Sequence, residues 1–281
     1  MRHPEKRAHA KLFHLRFGEH RHLEPELFQL LATLGETVRI KNIRRLRNEI
    51  ANAGCFKVEG MERGQGPALV LRPLPADPRR IITSASYQRL SDFGFRRSGG
   101  HLYRPRCNHC RACIAVRVPV SQFSATRGQK RNLRRNDDLR VAVEPARFTQ
   151  RHYHLYERYI SLRHTDGDMY PPSEDQYRSF LLSAWANTSF ICTYEGQRLL
   201  SVAVTDQLED GLSAVYTFFE PNAHRRGLGV FSILQQIDVC RSLGLSYVYL
   251  GYWIKESPKM SYKSQYRPLQ MYIDGRWLTL T

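Results

Sequence analysis

The sequence predicts an α+β fold built on a mixed sheet. Three consecutive segments rich in β-branched and aromatic residues are separated by turn residues, which is typical of an antiparallel meander. Two glycines follow, then a helix that a third glycine ends, then one more strand, and this order indicates helices packed on a sheet. The strands are Phe190–Tyr194, Leu199–Asp206 and Leu212–Phe219; the glycines are Gly227, Gly229 and Gly244; the helix is Val230–Leu243, and the last strand is Tyr247–Gly251.

The chain before this unit is predicted to contain five helices and one strand. Apolar residues at spacings of three and four predict helices, alternation predicts a strand, and a run of glycines and prolines between residues 60 and 80 predicts a linker or long loop. Ser84 or Ser86 is the expected N-terminal cap of the helix Ser84–Phe93, and Gly94 is expected to end this helix. The predicted helices are Leu23–Gly35, Val38–Ala53, Ser84–Phe93, Arg147–Arg163 and Glu174–Trp185, and the strand is Ala115–Val120.

Composition limits the location of the protein. The chain has 281 residues, 42% of them hydrophobic, which is enough for a large domain or two small ones. It contains no run of ~18 apolar residues, and its first residues lack the apolar region of a secretory signal. We therefore expect a cytoplasmic protein that does not contact a membrane.

Positive charge is concentrated in the first half of the chain. Residues 1–151 carry 31 Lys and Arg against 13 Asp and Glu, whereas residues 152–281 carry 12 against 13. A surplus of this size favours a polyanion as partner, and nucleic acid is the commonest one. The alternative is a solvated basic surface that only aids solubility.

A glycine-containing turn precedes the predicted helix Val230–Leu243. In His224-Arg-Arg-Gly-Leu-Gly229, glycines let backbone N–H groups point outward at a helix N-terminus, where a phosphate or a developing oxyanion is favoured. The turn resembles the Arg/Gln-x-x-Gly-x-Gly/Ala loop of acyl-CoA N-acyltransferases, with His224 in place of the usual Arg or Gln. An ordinary strand-to-helix turn is the alternative.

Three cysteines lie close together in the sequence. Cys107, Cys110 and Cys113 are each separated by two residues, a spacing that zinc and iron-sulfur sites use. In the alternative, Cys113 is an apolar residue and the other two are loop thiols. The candidates for a fourth ligand are His101, His109 and Cys55.

A series of ordered motifs closely resembles the aminoacyl-tRNA protein transferases of the N-degron pathway, above all the bacterial aspartate/glutamate leucyltransferases. The resemblance runs from about Tyr87 to Trp277 and departs at the front, where the family's Cys-x-Tyr-Leu-Pro type motif is missing and Arg72-Pro-Leu-Pro75 is the nearest text. The motifs are Phe95-Arg-Arg-Ser-Gly99, His101-Leu-Tyr-Arg-Pro105, Cys107-x2-Cys-x-Ala-Cys113, Arg131-x3-Arg135-Asn136, Arg163-His-x-Asp-Gly167-x-Met169, Leu212–Phe219, Tyr249-Leu-Gly-Tyr-Trp-Ile254 and Lys259-Met-x-Tyr-Lys263.

The resemblance implies transfer of leucine from leucyl-tRNA to proteins that begin with Asp or Glu, which marks them for degradation. It also implies an N-acyltransferase-like unit behind a basic, cysteine-bearing region. The predicted divisions are a divergent, partly disordered segment 1–80, the cysteine-bearing region 81–145 and the transferase domain 146–281. Arginyl-tRNA as donor, an acyl-CoA-dependent N-acetyltransferase and a non-catalytic RNA-binding protein are the alternatives.

The reaction is aminolysis of an activated ester, so we expect no cofactor in the chemistry, and a zinc ion or iron-sulfur cluster only at the cysteines. A peptide α-amino group has a pKa of ~7.7 to 8.0, so no strong base is needed. Core stacking and solvated charge are the alternatives for the residues chosen. The catalytic candidates are Tyr216, Tyr249, Tyr252, Lys259 and Lys263; the tRNA-binding candidates are Arg127, Lys130, Arg131, Arg134 and Arg135; the acceptor-binding candidates are Arg96, Arg97, Arg104, Arg163 and His164.

Overall fold

The computed structural model describes residues 68–71, 82–105 and 110–281, all within the unit Asn52–Thr281. An eight-stranded mixed sheet with strand order β11-β10-β4-β9-β8-β7-β6-β5 dominates this part of the chain, beside a small sheet ordered β1-β3-β2. The prediction of an α+β fold is therefore confirmed. The strands are β1 (Ala68–Leu71), β2 (Arg96–Ser98), β3 (His101–Pro105), β4 (Ile114–Pro119), β5 (Arg140–Pro145), β6 (Thr188–Glu195), β7 (Arg198–Gln207), β8 (Gly211–Phe219), β9 (Tyr247–Trp253), β10 (Leu269–Ile273) and β11 (Arg276–Leu280).

Five α-helices accompany the strands in the described residues. Thr83, and neither of the predicted serines, caps the first helix, because its side chain accepts a hydrogen bond from the Ser86 amide. The helix predicted from Glu174 ends at Leu181 instead of Trp185, since Leu182 is already extended. The helices are α1 (Ser84–Asp92), α2 (Arg127–Arg135), α3 (Gln150–Arg163), α4 (Glu174–Leu181) and α5 (Leu228–Ser242), with 3-10 turns at Pro221–Arg226 and Pro258–Gln265.

The predicted meander and the strand after it are confirmed. Strands β6, β7 and β8 pair antiparallel in sequence order, and α5 then returns the chain so that β9 pairs parallel to β8. The helices predicted at Leu23–Gly35 and Val38–Ala53 lie outside the described residues, and strand β1 lies inside the stretch predicted as a linker.

Several elements were not predicted: helix α2, the strands β1, β2 and β3 of the small sheet, strand β5, and the hairpin of β10 and β11. Strand β5 is the edge of the large sheet and is largely exposed, so its apolar alternation is weak. The hairpin of β10 and β11 turns at Asp274-Gly275, where both residues have positive φ angles of 47° and 77°. That Asp-Gly pair between two apolar runs is a recognised hairpin signal and could have revealed it.

Helices cover both faces of the sheet. Adjacent residues of a strand point to opposite faces, and in β7 the Ser201 hydroxyl meets Ser232 of α5 while Val202 joins the core that α3 and α4 complete. Both sides of the predicted boundary at residue 145 contribute strands to this one sheet, and the proposed domain division stays a prediction. None of the helices in the described ranges is long and apolar enough to cross a membrane.

Candidate functional site

The large sheet opens between β8 and β9. These strands pair over three positions only, from Gly211 opposite Tyr247 to Ser213 opposite Tyr249. Each strand then continues along its other neighbour, and each carries one extra residue at this point, Val215 in β8 and Leu250 in β9. Such bulges bend a strand, so the two facing edges separate and leave backbone polar groups without strand partners. We call this opening the sheet cleft.

Two buried cations bind carbonyl groups on opposite sides of the sheet cleft. Arg96 donates from Nη2 to the Ala214 carbonyl of β8 at 2.6 Å, and Lys263 donates from Nζ to the Tyr252 carbonyl of β9. The two side chains belong to residues only 7% and 8% exposed. The Nη1 atom of Arg96 is buried and has no hydrogen-bond partner among the residues that the structure describes. Because an unpaired buried donor is costly, this atom indicates a ligand that accepts from it.

Gly251 makes room for both cations. A side chain there would place its first carbon 3.5 Å from Arg96 Nε and 3.7 Å from Lys263 Nζ, and the φ angle of +82° also favours glycine. Two positive groups this close to one point are at most about 7 Å apart. At an effective dielectric constant of ~20 their repulsion is about 2 kcal/mol. An anion between them would remove this cost.

A buried ion pair places Arg96. The next residue, Arg97, donates to the Asp206 carboxylate from Nε at 2.6 Å and from Nη2 at 3.0 Å, and both side chains are fully buried. Burial opposes the charge on Arg97, yet Asp206 outweighs it and raises the pKa of Arg97. Since strand β2 is fixed to β7 in this way, Arg96 reaches the sheet cleft while Arg97 stays within the core.

Two of the predicted catalytic tyrosines, Tyr249 and Tyr252, bind residues in or near α1 through their hydroxyl groups. The Tyr249 hydroxyl lies 2.9 Å from the carboxylate of Asp92 and 3.1 Å from that of Asp210. The Tyr252 hydroxyl donates to the Gly94 carbonyl at 2.7 Å. Burial raises the pKa of each tyrosine well above its ordinary value. Both therefore link β9 to the segment around α1.

Most of the other catalytic and acceptor-binding candidates lie around β8 and the turns next to it. The Tyr216 ring of β8 packs at 5.3 Å from that of Phe180, and Arg163 lies over the Phe219 ring at 5.4 Å. His164 follows on from Arg163 at the end of α3. Lys259 forms an exposed ion pair with Asp166 at 3.2 Å, which joins the turn after α3 to the turn after β9. Arg104 donates instead to the Phe93 carbonyl near the small sheet.

Side chains of helix α2 and of the residue after it hydrogen-bond to the glycine turn His224–Gly229. Gly227 has a φ angle of +61° and precedes α5 without a side-chain cap. Asn132 of α2 donates to the Arg226 and Gly227 carbonyls at 3.0 and 3.1 Å, and Asn136 also donates to Arg226. The inner face of α2 is thus made of amide side chains that bind the turn.

The outer face of α2 is cationic. All five predicted tRNA-binding residues are exposed, and Arg135 also donates to the Arg225 carbonyl. Within the described part of the chain, no acidic partner lies in ion-pair range of these five. They are Arg127, Lys130, Arg131, Arg134 and Arg135. We call this face the cationic helix surface.

The cysteine site is described only in part. Cys110 is exposed and Cys113 is half-buried, whereas Cys107, His109 and Cys55 lie outside the described residues. The metal site therefore stays a prediction.

The sequence analysis did not identify three aspartates that bind residues at the sheet cleft. Asp206 binds Arg97, and Asp92 and Asp210 bind Tyr249. Asp210 lies in the predicted turn before β8, whereas no local signal marks Asp206.

Comparison with known proteins identifies the family. The model of the arginine-tRNA-protein transferase C terminus matches residues 151–273, and that of its N terminus matches residues 60–131. An aspartate/glutamate leucyltransferase of Hahella chejuensis is 54% identical over 73% of this chain and 87% of that one. One of Pseudomonas aeruginosa is 51% identical over 73% and 87%.

A solved structure, that of L-PGS from Bacillus licheniformis, has a TM-score of 0.43 and 11% identity over 62% of this chain and 51% of that one, a similarity too weak to define the fold. The two family models and the relatives agree with the ordered motifs between Tyr87 and Trp277. The chain therefore belongs to the arginine-tRNA-protein transferase family, together with the bacterial aspartate/glutamate leucyltransferases.

Proposed function

We propose that this aminoacyltransferase moves leucine from leucyl-tRNA to the α-amino group of proteins that begin with Asp or Glu and so marks them for degradation. Relatives named aspartate/glutamate leucyltransferase, 51% to 54% identical, support leucine as the donor. The family models carry the name of the arginyl enzymes, so arginyl-tRNA is the second candidate donor. Both substrates are expected in the cytoplasm.

The observation that carries this proposal is the pair of buried cations in the sheet cleft. An acceptor that begins with Asp or Glu brings one carboxylate, which would accept from the unpartnered Arg96 Nη1 and lie near Lys263. Hydrogen bonds to charged groups contribute about 1.5 to 3 kcal/mol, enough to select an acid over its amide. The open backbone edges of β8 and β9 would bind the acceptor main chain beside it.

The chemistry then needs position more than a strong base. The neutral α-amino group attacks the ester carbonyl of leucyl-tRNA, the C–N bond forms, the bond to the ribose oxygen breaks, and one proton passes to that oxygen. We propose Tyr216 and Lys259 for this proton transfer. In this proposal Tyr249 and Tyr252 position β9, and Arg163 and His164 lie where the acceptor enters.

The meander, the parallel pairing of β8 with β9, the sheet cleft and the glycine turn support an N-acyltransferase type of sheet. In such a sheet the acyl donor would lie near the turn that precedes α5. We propose that the cationic helix surface binds tRNA phosphates, since α2 is fixed to that same turn and its five cations are exposed.

The test is a transfer assay with labelled leucyl-tRNA, arginyl-tRNA or acetyl-CoA and peptides that differ only in the first residue. Wild-type protein should use leucyl-tRNA and label Asp and Glu peptides in preference to Asn, Gln and Lys peptides. Arg96→Met should lower the Asp to Asn ratio of kcat/KM by about 10- to 150-fold. Because this ratio is measured within one variant, partial unfolding does not affect it.

Two further variants complete the design. Arg96→Lys keeps the charge and should retain part of the preference, and Arg178→Met removes an exposed arginine that lies on the Phe148 ring and should change nothing. An unchanged Asp to Asn ratio in Arg96→Met would refute the acceptor site. Labelling from acetyl-CoA in place of either tRNA would refute the proposed function itself.

A further inference from the structure

A second cluster of reactive side chains lies near the β5 edge of the large sheet. Glu144 of β5, His152 of α3 and Cys192 of β6 bring one ligand atom each to within 4.8 Å of the others. No other group of this kind occurs among the residues that the structure describes. Strand β6 is separated from β8 by β7, so this cluster is distinct from the sheet cleft.

The spacing of the three groups is close to the spacing of ligands around a metal ion. His152 Nε2 lies 3.8 Å from Glu144 Oε2, which is too long for a hydrogen bond, and 3.9 Å from Cys192 Sγ. In a tetrahedral zinc site, ordinary bond lengths put such nitrogen–oxygen and nitrogen–sulfur pairs about 3.4 and 3.6 Å apart. These two distances exceed the tetrahedral values by only a few tenths of an ångström, and the third pair, Glu144 with Cys192, lies within 4.8 Å.

Neighbouring groups already orient the carboxylate. The Tyr194 hydroxyl donates to Glu144 Oε1, which leaves Oε2 as the oxygen that faces His152. Carboxylates that ligate metals are commonly held in this way by a hydrogen bond to the other oxygen.

Charge balance also favours a divalent cation. Cys192 is fully buried and His152 is 3% exposed, so an uncompensated charge between them would be costly. Zinc bound to a thiolate, a carboxylate and a neutral imidazole has no net charge, once the thiol proton has passed to solvent. The Glu144 side chain is 33% exposed and gives the ion a route in.

We infer that Glu144, His152 and Cys192 form a structural zinc site, with a water molecule as the fourth ligand. The ion would join three elements, namely β5, β6 and the first turn of α3. No residue of this site belongs to the sheet cleft, so the site is independent of the proposed function.

Cobalt(II) is the probe, because a thiolate ligand gives it a charge-transfer absorption band and tetrahedral geometry gives it visible bands. The full-length protein would carry Cys107→Ser, Cys110→Ser and Cys113→Ser, so that the loop cysteines cannot contribute. This background should bind one cobalt(II) with a thiolate band. Zinc at a hundredfold excess over its Kd should raise Tm by about 5 to 10 °C.

Cys192→Ala added to this background should abolish the thiolate band and the zinc-dependent rise in Tm. Cys240→Ala is the matched control, since Cys240 is equally buried but its thiol donates to the Leu245 and Tyr247 carbonyls instead of facing a histidine and a carboxylate. Glu144→Gln, at a half-buried position, should weaken cobalt binding at least tenfold and serves if Cys192→Ala does not fold. The inference would be overturned if the background protein lacked the thiolate band. It would also be overturned if Cys192→Ala kept the band, or, where that variant does not fold, if Glu144→Gln bound cobalt(II) as tightly as the background.

Discussion

Replacing Asp206 by Asn tests the buried ion pair on which the position of Arg96 depends. The Asp206 carboxylate accepts hydrogen bonds from Arg97 at 2.6 and 3.0 Å, from Tyr87 at 2.7 Å and from Thr188 at 2.7 Å. Asn has nearly the same shape, so the change removes the negative charge and little packing. The Arg97 guanidinium is then left buried without a counter-charge.

Breaking a buried ion pair from one side costs about 3 to 5 kcal/mol. For a described domain of roughly 200 residues, this lowers Tm by about 6 to 20 °C. The matched control is Asp138→Asn, which removes one of the two carboxylate partners of Arg226, where the aspartate side chain is 51% exposed. Exposed ion pairs contribute little to stability, so the control should lose much less Tm than Asp206→Asn.

Calorimetry at pH 7 measures both Tm values, and the transfer assay measures function below either transition. Asp206→Asn should also lower kcat/KM for Asp peptides, because Arg96 directly follows Arg97 in β2. Replacing both partners, as Arg97→Met with Asp206→Leu, should recover a large part of the stability but not the activity. A loss of Tm in Asp206→Asn no larger than in the control would refute the reasoning.

Three further outcomes are expected. Gly251→Ala should lower transfer activity at least tenfold, whereas Gly196→Ala, also at a positive φ but with nothing within 4 Å, should cost only stability; equal activities would contradict the cleft geometry. Arg131→Ala with Arg134→Ala should reduce the slope of log tRNA affinity against log salt by about 1.4 to 1.8, as filter binding can measure. Burial, then Asp92, raises the pKa of Asp210, so the ionised form is unfavourable in the folded state. Asp210→Asn should therefore gain stability over wild type in urea unfolding as the pH rises from about 4 to 7, and a constant difference would disprove this.

Local patterns in the sequence were sufficient for most of the sheet and its helices. Runs of β-branched and aromatic residues between turn residues identified β6, β7 and β8, and β6 and β7 are buried along almost their whole length. Glycine stops identified the ends of α1 and α5, where Gly94 and Gly244 have positive φ angles. Strand β5 was not predicted because it is an exposed edge strand, where apolar and polar side chains need not alternate.

The sequence by itself also determined the family and the basic character of the surface, since ordered motifs and net charge are properties of the chain alone. Only the tertiary structure decided which cations face an open site. Arg96 and Lys263 meet because two bulges, at Val215 and Leu250, separate β8 from β9, and bulges depend on pairing between distant strands. Burial removes water from both side chains, and this environment, which no local sequence pattern predicts, is the reason that we propose them as a site for an acid.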